Sequence, residues 1–350
     1  PRWIILGQEE LEFSVTAGGP EMAEDPVITC QGRQVAFTRE NGRVRVRELP
    51  EKTGEYRYEI RWGKSRTFAE FRVLPDREEL LYRRCRFLAE KQQCREEKSH
   101  LYGAFLIYDL EEGRQFYSHK NDYNGGRERV GMGVLLAHAL RKHPDPELME
   151  SLKLYVDDVM RELYDGDTGE VFNDMPRCRD YIRLYNYPWV AQLFLEMYQL
   201  EEKDFWLDEY RKVVECFYRE GGSHYYAIGM PMKESVDVFR KAGREAEADR
   251  LVELYRKQGD FMAKCGRNYP AHEVDYEQSI VAPAAIYMCE LYQITGEETY
   301  LAEAARQLQV LELFQGDQPD YHLNQVAIRH WDGYWFGKRK LLGDTFPHYW

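Results

Sequence analysis

Between Asn121 and Gly133 the chain reads Asn-Asp-Tyr-Asn-Gly-Gly-Arg-Glu-Arg-Val-Gly-Met-Gly, placing acids, bases, amides and four glycines in thirteen positions ahead of an apolar run. Glycine-rich backbone turns sharply and approaches a ligand closely, so the stretch reads as a functional loop feeding a buried helix. Within it Asp122 has the chemistry of a proton donor or base, and Asn124, Arg127 and Arg129 that of groups orienting an anion. The alternative reading is a helix N-terminal region with ordinary surface charges. A phosphate loop is excluded, because the Lys-Ser/Thr ending and the preceding strand are missing.

Four further polar tracts carry candidates. The tract from Asp165 to Trp189 holds Asp-Gly-Asp-Thr-Gly, then Asp174, Arg179, Tyr187 and Trp189. Its first piece lacks the alternating acids and terminal Glu of a calcium loop and reads as a turn. Arginines such as Arg179 suit paired hydrogen bonds to a carboxylate, with plain surface arginine as the alternative. Next, Gly221 to Tyr226 offers His224 and Tyr225, either a proton-transfer pair or a stacking surface. Arg267 to Gln278 offers His272, Glu273 and Asp275; no metal-ligand spacing is present, and Asp275 with Gln278 fits a helix cap as well as acid–base work. In the last tract, His330 to Trp350, Trp331 and Trp335 flank Asp332 as a stacking platform.

The elements that position these tracts change near residue 75. Before it, short β-type runs alternate with a period of two: Trp3 to Leu6, Leu11 to Thr16, Val27 to Cys30, Val35 to Thr38, Val44 to Val46, Tyr56 to Trp62 and Phe68 to Leu74. They describe a small antiparallel sandwich over 1–75, immunoglobulin-like in architecture. After it the period is helical, with helices expected near 77–93, 129–143, 146–165, 185–202, 204–220, 232–243, 245–265, 276–294, 298–314 and from about 345.

Apolar helices, as expected of an inner layer, alternate with charged amphipathic ones expected outside. Inner-to-outer links are tight and outer-to-inner links are long and polar. In stacked hairpins all the long links share one end, where inner-helix N-termini favour anions. The pattern reads as an α/α toroid over 76–350. A full ring takes six hairpins and at most five are countable, so the sequence is a fragment, or the ring is incomplete or closed by another subunit.

Composition narrows the partners. A formal charge of −13 argues against bulk attraction to nucleic acid or to anionic membranes. No apolar run is long enough to span a bilayer. The seven scattered cysteines show neither metal spacing nor a disulfide framework and read as mostly buried thiols, favouring a reducing, cytoplasmic setting. No cofactor is expected, and a homo-oligomer fits the unclosed ring. The 26 tyrosines and an aromatic share of 14% suit either sugar recognition or an aromatic-rich core.

The helical region resembles the six-hairpin glycosidase superfamily. The β-region followed by the tracts at 121–133 and 330–350 is most similar to the β-glucuronidase-type glycoside hydrolase family 154 and, more distantly, to unsaturated glucuronyl hydrolases. That resemblance implies hydrolysis of a uronic-acid-containing oligosaccharide or polysaccharide by paired carboxylates. Asp122, Asp174, Glu273, Asp275 and Asp332 are the candidate acids. Arg127, Arg129 and Arg179 are candidates for the uronate, with Asn124, Tyr187, Trp189, His224, Tyr225, His272, Trp331 and Trp335 completing the cleft.

Three other readings stay open. A lyase would use Tyr225 or His224 for the protons and Arg127 with Asn124 for the carboxylate. An epimerase would use His224 and His272. A glycan-binding protein would keep the cleft without working acids.

Overall fold

The structure, a computed structural model, describes residues 4–18, 24–110, 112–119, 124–126, 129–180, 182–273 and 277–314. Asp122, Arg127, Asp275, Trp331, Asp332, Trp335 and the helix expected near 345 lie outside the described residues. The chain forms two compact units, one running to Arg84 and the next beginning at Cys85.

The first unit is a two-sheet sandwich. Strands β1 (Ile4–Leu6), β8 (Ser65–Leu74), β7 (Gly54–Trp62), β3 (Val27–Cys30) and β4 (Arg33–Gln34) form one sheet in that order, and β2 (Leu11–Val15), β6 (Arg43–Glu48) and β5 (Thr38–Glu40) form the other. The strand alternation has the expected cause. In β7 every second side chain, Tyr56, Tyr58, Ile60 and Trp62, is buried, while Glu55, Arg57, Glu59 and Arg61 face out. Phe13 of the smaller sheet meets Tyr58 and Phe71 of the larger at ring separations of 4.9 and 5.4 Å, which ties both inner faces into one core.

One expected strand is corrected. Val35 to Thr38 is not continuous, because β4 ends at Gln34 in one sheet and β5 begins at Thr38 in the other. Val35 is buried in the crossing, and its N–H donates to the Ile28 carbonyl.

The second unit is helical. After α1 (Arg77–Phe87) come α2 (Val130–Lys142) with α3 (Pro146–Asp158), α4 (Tyr187–Glu201) with α5 (Asp204–Arg219), α6 (Met232–Lys241) with α7 (Glu245–Cys265), and α8 (Gln278–Thr295) with α9 (Glu298–Leu311). Each named pair packs as a hairpin. The expected long helices at 77–93 and 146–165 instead end in single π turns, at Leu88–Gln92 and Val159–Leu163.

Local chemistry sets the helix boundaries. Asp145 caps α3 by accepting from the N–H groups of Glu147 and Leu148 at 2.9 and 3.1 Å, with Pro146 in the first turn. α4 ends at Glu202 and α8 at Gly296, both in the left-handed region that terminates a helix. α4 is buried nearly all round, from Tyr187 to Met197, as befits an inner helix. α5 buries Trp206, Tyr210, Val213, Val214 and Phe217 along one stripe, as befits an outer one.

Much of the tyrosine content serves this packing. Tyr210 and Tyr255 hydroxyls meet at 3.0 Å, Tyr218 and Tyr287 at 3.1 Å, and Tyr164 donates to Glu209 at 2.6 Å. Buried hydroxyls need partners, and here they bond across neighbouring helices. The seven cysteines are free thiols. Among the described residues no helix is long and apolar enough to cross a membrane.

The Asp165 turn is a structural clamp. Asp165 accepts from the Asp167 and Thr168 N–H groups, and Gly169 sits at φ 79° with its Cβ direction 2.3 Å from the Lys212 carbonyl oxygen. Gly169→Ala therefore strains the backbone and overpacks it at once, at a cost of about 2–4 kcal/mol. Equilibrium urea unfolding should show the loss; a midpoint equal to that of the parent protein would contradict the clamp.

Candidate active site

Two of the long links that precede inner helices meet around one buried carboxylate. Asp174, 1% exposed, follows the bridge between Tyr164 and Val171 and is fixed by its backbone: the Cys178 N–H donates to its carbonyl at 2.8 Å. The Asn173 amide holds the same turn, accepting from Asn186 at the start of α4 at 2.8 Å. From the link after α1, the Tyr117 hydroxyl donates to Asp174 Oδ2 at 3.2 Å, and His119 Nδ1 lies 2.9 Å from the same oxygen.

The glycine-rich loop packs onto this turn. A Cβ on Gly126 would stand 3.0 Å from Asp174 Cα and 3.2 Å from the Asn173 oxygen, and one on Gly125 would approach Leu106 and Tyr117. The glycines at 125 and 126 are therefore a matter of close approach between two loops. Asn124 accepts from the Gly126 N–H at 3.1 Å, and the Arg129 N–H donates to the Gly126 carbonyl. Asn124 and Arg129 are both buried, so in this arrangement they build the loop itself.

The electrostatics give each group a different task. Burial pushes the Asp174 carboxyl up, while the Met175 N–H and His119 pull it down. Burial and the neighbouring Asp174 charge push the Tyr117 phenol well above its ordinary value, so it keeps its proton. With Asp174 ionised, the His119 N–H at Nδ1 donates to it and the Nε2 lone pair is left for other work. The His119 side chain is 48% exposed, the most accessible member of the group. Its Nε2 lies 3.6 Å from Cys178 Sγ and 3.5 Å from Asp180 Oδ2.

A second group joins the next two links. Glu273 accepts from the Tyr226 N–H at 3.2 Å, and burial pushes its carboxyl up. His272 Nε2 reaches the His224 carbonyl at 3.0 Å, while the His224 ring stands edge-on to Phe261 and its Nδ1 lies 3.2 Å from Ser223 Oγ. Tyr225 stacks edge-on with Phe217, and its carbonyl accepts from Gln258.

The remaining sequence candidates fall elsewhere. Arg179 pairs with Glu170 at 3.0 Å and lies over the Phe172 ring, so its charge is matched within its own loop. Tyr187 is fully buried and its hydroxyl oxygen accepts from Cys216 Sγ, so in this arrangement it packs the core. Trp189 backs Gly131 and lines a cavity of about 440 Å³ with Gln192, Met230, Pro283 and Tyr287.

Sequence reasoning missed Tyr117 and His119. The available signal was a Tyr-Ser-His run inside a long polar link, ending two residues before the glycine-rich stretch begins at Asn121.

No known family's sequence pattern matches this chain, and no curated protein does. Among solved structures it is similar to one described as a polysaccharide lyase, with 37% identity and a TM-score of 0.89. That match covers 100% of this chain and 52% of the other, so the chain spans about half the length of the lyase it resembles. A cellobiose 2-epimerase from Bacillus thermoamylovorans B4167 matches at 12% identity and a TM-score of 0.47, over 67% of this chain and 70% of its own. A family 76 glycoside hydrolase from a bovine Bacteroides thetaiotaomicron strain matches at 11% and 0.41, over 82% and 71%. At those scores the latter two carry no weight for fold or chemistry. The resemblance to family 154 expected from the two sequence tracts finds no family match.

Proposed function

We propose that the chain is the toroid-bearing part of a polysaccharide lyase that cleaves a uronate-containing glycan by β-elimination, with His119 as the proton-transfer group. The observation that carries the reading is the shared oxygen of Asp174: it lies 2.9 Å from His119 Nδ1, so a neutral ring that donates there keeps its lone pair on Nε2, and the side chain is half exposed. The likeness to a polysaccharide lyase at 37% identity supports the same class.

In this reading His119 Nε2 takes the proton from the carbon next to the uronate carboxylate. The C–H electron pair becomes the new C=C bond, and the C–O bond to the leaving sugar breaks. The imidazolium returns its proton to the leaving oxygen, so the step balances without a net acid or base. Asp174 stabilises the imidazolium, and Tyr117 steadies Asp174 from the other side. Arg127, in the glycine-rich stretch, is the residue proposed to neutralise the substrate carboxylate, because a positive charge there lowers the cost of the carbanion-like transition state.

A second reading, hydrolysis, is favoured by Asp174 and Glu273, two carboxyls that burial raises toward the range of a general acid. It needs both to flank one glycosidic bond. Incubation with a uronate polysaccharide separates the two. Elimination generates a conjugated unsaturated uronate whose ultraviolet absorbance rises in step with new chain ends; new chain ends without that absorbance would contradict the lyase reading.

A further inference from the structure

We propose that His119, Cys178 and Asp180 form an inhibitory binding site for a thiophilic divalent cation of the zinc type. Their ligand atoms all lie within 4.8 Å of one another. The two separations from His119 have the size that tetrahedral coordination requires. Bonds of about 2.1 Å to nitrogen and 2.3 Å to sulfur place those two atoms about 3.6 Å apart at a tetrahedral angle, and His119 Nε2 stands 3.6 Å from Cys178 Sγ. The Asp180 oxygen, at 3.5 Å from the same nitrogen, completes a second edge.

A separate observation points the same way. Metal-binding histidines commonly give their other ring nitrogen to a carboxylate, which fixes the ring and strengthens the donor. Asp174, buried and 2.9 Å from Nδ1, stands in that position. The donor set of thiolate, imidazole and one carboxylate selects zinc-like ions over calcium or magnesium, which take oxygen donors. Three protein ligands leave one coordination position open.

The same three residues make a poor nucleophilic triad. Burial pushes the Cys178 thiol up and the Asp180 carboxylate adds to it, so a free thiolate is disfavoured. Binding replaces the thiol proton, which leaves to solvent.

The inhibitory consequence rests on the role given to His119 above; the binding itself does not. A cation on Nε2 occupies the lone pair that proton abstraction needs, so occupancy and turnover exclude one another.

Cobalt(II), a coloured stand-in for zinc, tests the site without substrate. One equivalent should give intense tetrahedral bands and a sulfur-to-cobalt charge-transfer band, both bleached by zinc. Cys178→Ser should abolish the charge-transfer band, and the exposed Asp180→Asn should weaken binding by at least about 10-fold. A cobalt spectrum identical in the parent protein and Cys178→Ser, or no cobalt bound at equimolar protein and metal, overturns the site. In the parent protein zinc should suppress turnover in proportion to occupancy, while Cys178→Ser keeps its own rate in the same zinc. Zinc binding with full turnover overturns the inhibition, and a protein that cleaves nothing leaves the cobalt result to decide the site alone.

Discussion

His119→Ala lowers the rate of glycan cleavage by about 10²–10⁴-fold, the range for a lost general base, and leaves the unfolding midpoint close to that of the parent. The two outcomes separate because the side chain is half exposed and packs little, so its removal costs chemistry and not core. Asp174→Asn should lose activity to a similar degree by a different route. If the new amide turns its NH₂ toward Nδ1, the imidazole takes the tautomer that carries its proton on Nε2 and has no lone pair to offer. If it turns its oxygen, the tautomer survives but the charge that stabilises the imidazolium is gone. Tyr117→Phe should cost only about 10-fold, since it removes one of the bonds to Asp174 and no proton-transfer group. Steady-state rates with a soluble uronate polysaccharide, paired with thermal unfolding, check all three. An active His119→Ala protein would remove this residue from the mechanism.

The second large effect concerns stability. Asp158, where α3 passes into its π turn, is wholly buried: Oδ1 accepts from Arg161 at 2.8 Å, and Oδ2 has no partner among the described residues. Burial pushes its carboxyl up to about 8 from 3.8, with Arg161 opposing and Glu162 adding to the shift. The folded protein therefore holds a proton that the unfolded chain has released across that window. Stability from this group is fully present below about pH 4 and is lost as pH rises through about 8. At about 1.4 kcal/mol per unit, discounted because Arg161 is partly exposed, the swing is about 2–4 kcal/mol. Asp158→Asn keeps the bond to Arg161, stays neutral and flattens this slope, so it should be the more stable protein above neutral pH. Urea midpoints measured across the pH range check this; an unchanged slope in the variant would contradict it.

Much of the scaffold was readable from residue order. Period-two alternation located nearly every strand of the sandwich, because one face of each is buried and the other is wet. Tight links against long links located the hairpins, because Pro146, Glu202 and Gly296 mark helix boundaries by local rules. The break at Val35 was not readable, since a residue crossing between two sheets is as buried as one inside a strand.

The site was readable only in part. Asp174 was among the sequence candidates, but the partners that give it a task, Tyr117 and His119, lie more than fifty residues earlier. Their meeting depends on Gly126 packing against Asn173 and Asp174, a contact that no local pattern encodes. Asn124 and Arg129 carried the right chemistry for a ligand, yet burial gives them the loop to hold. Tyr187 and many other tyrosines went the same way, since an aromatic ring with a hydroxyl suits a helical core as well as it suits a sugar.

Whether the glycosidic bond is eliminated or hydrolysed is the central question. Cleavage of a uronate polysaccharide in water enriched in the heavy oxygen isotope, followed by mass measurement of the fragments, decides it most directly. Elimination through His119 yields one fragment lacking the elements of water and places no heavy oxygen at the broken bond. Fragments that each carry the full elements of water, with heavy oxygen built into the new chain end, would contradict it.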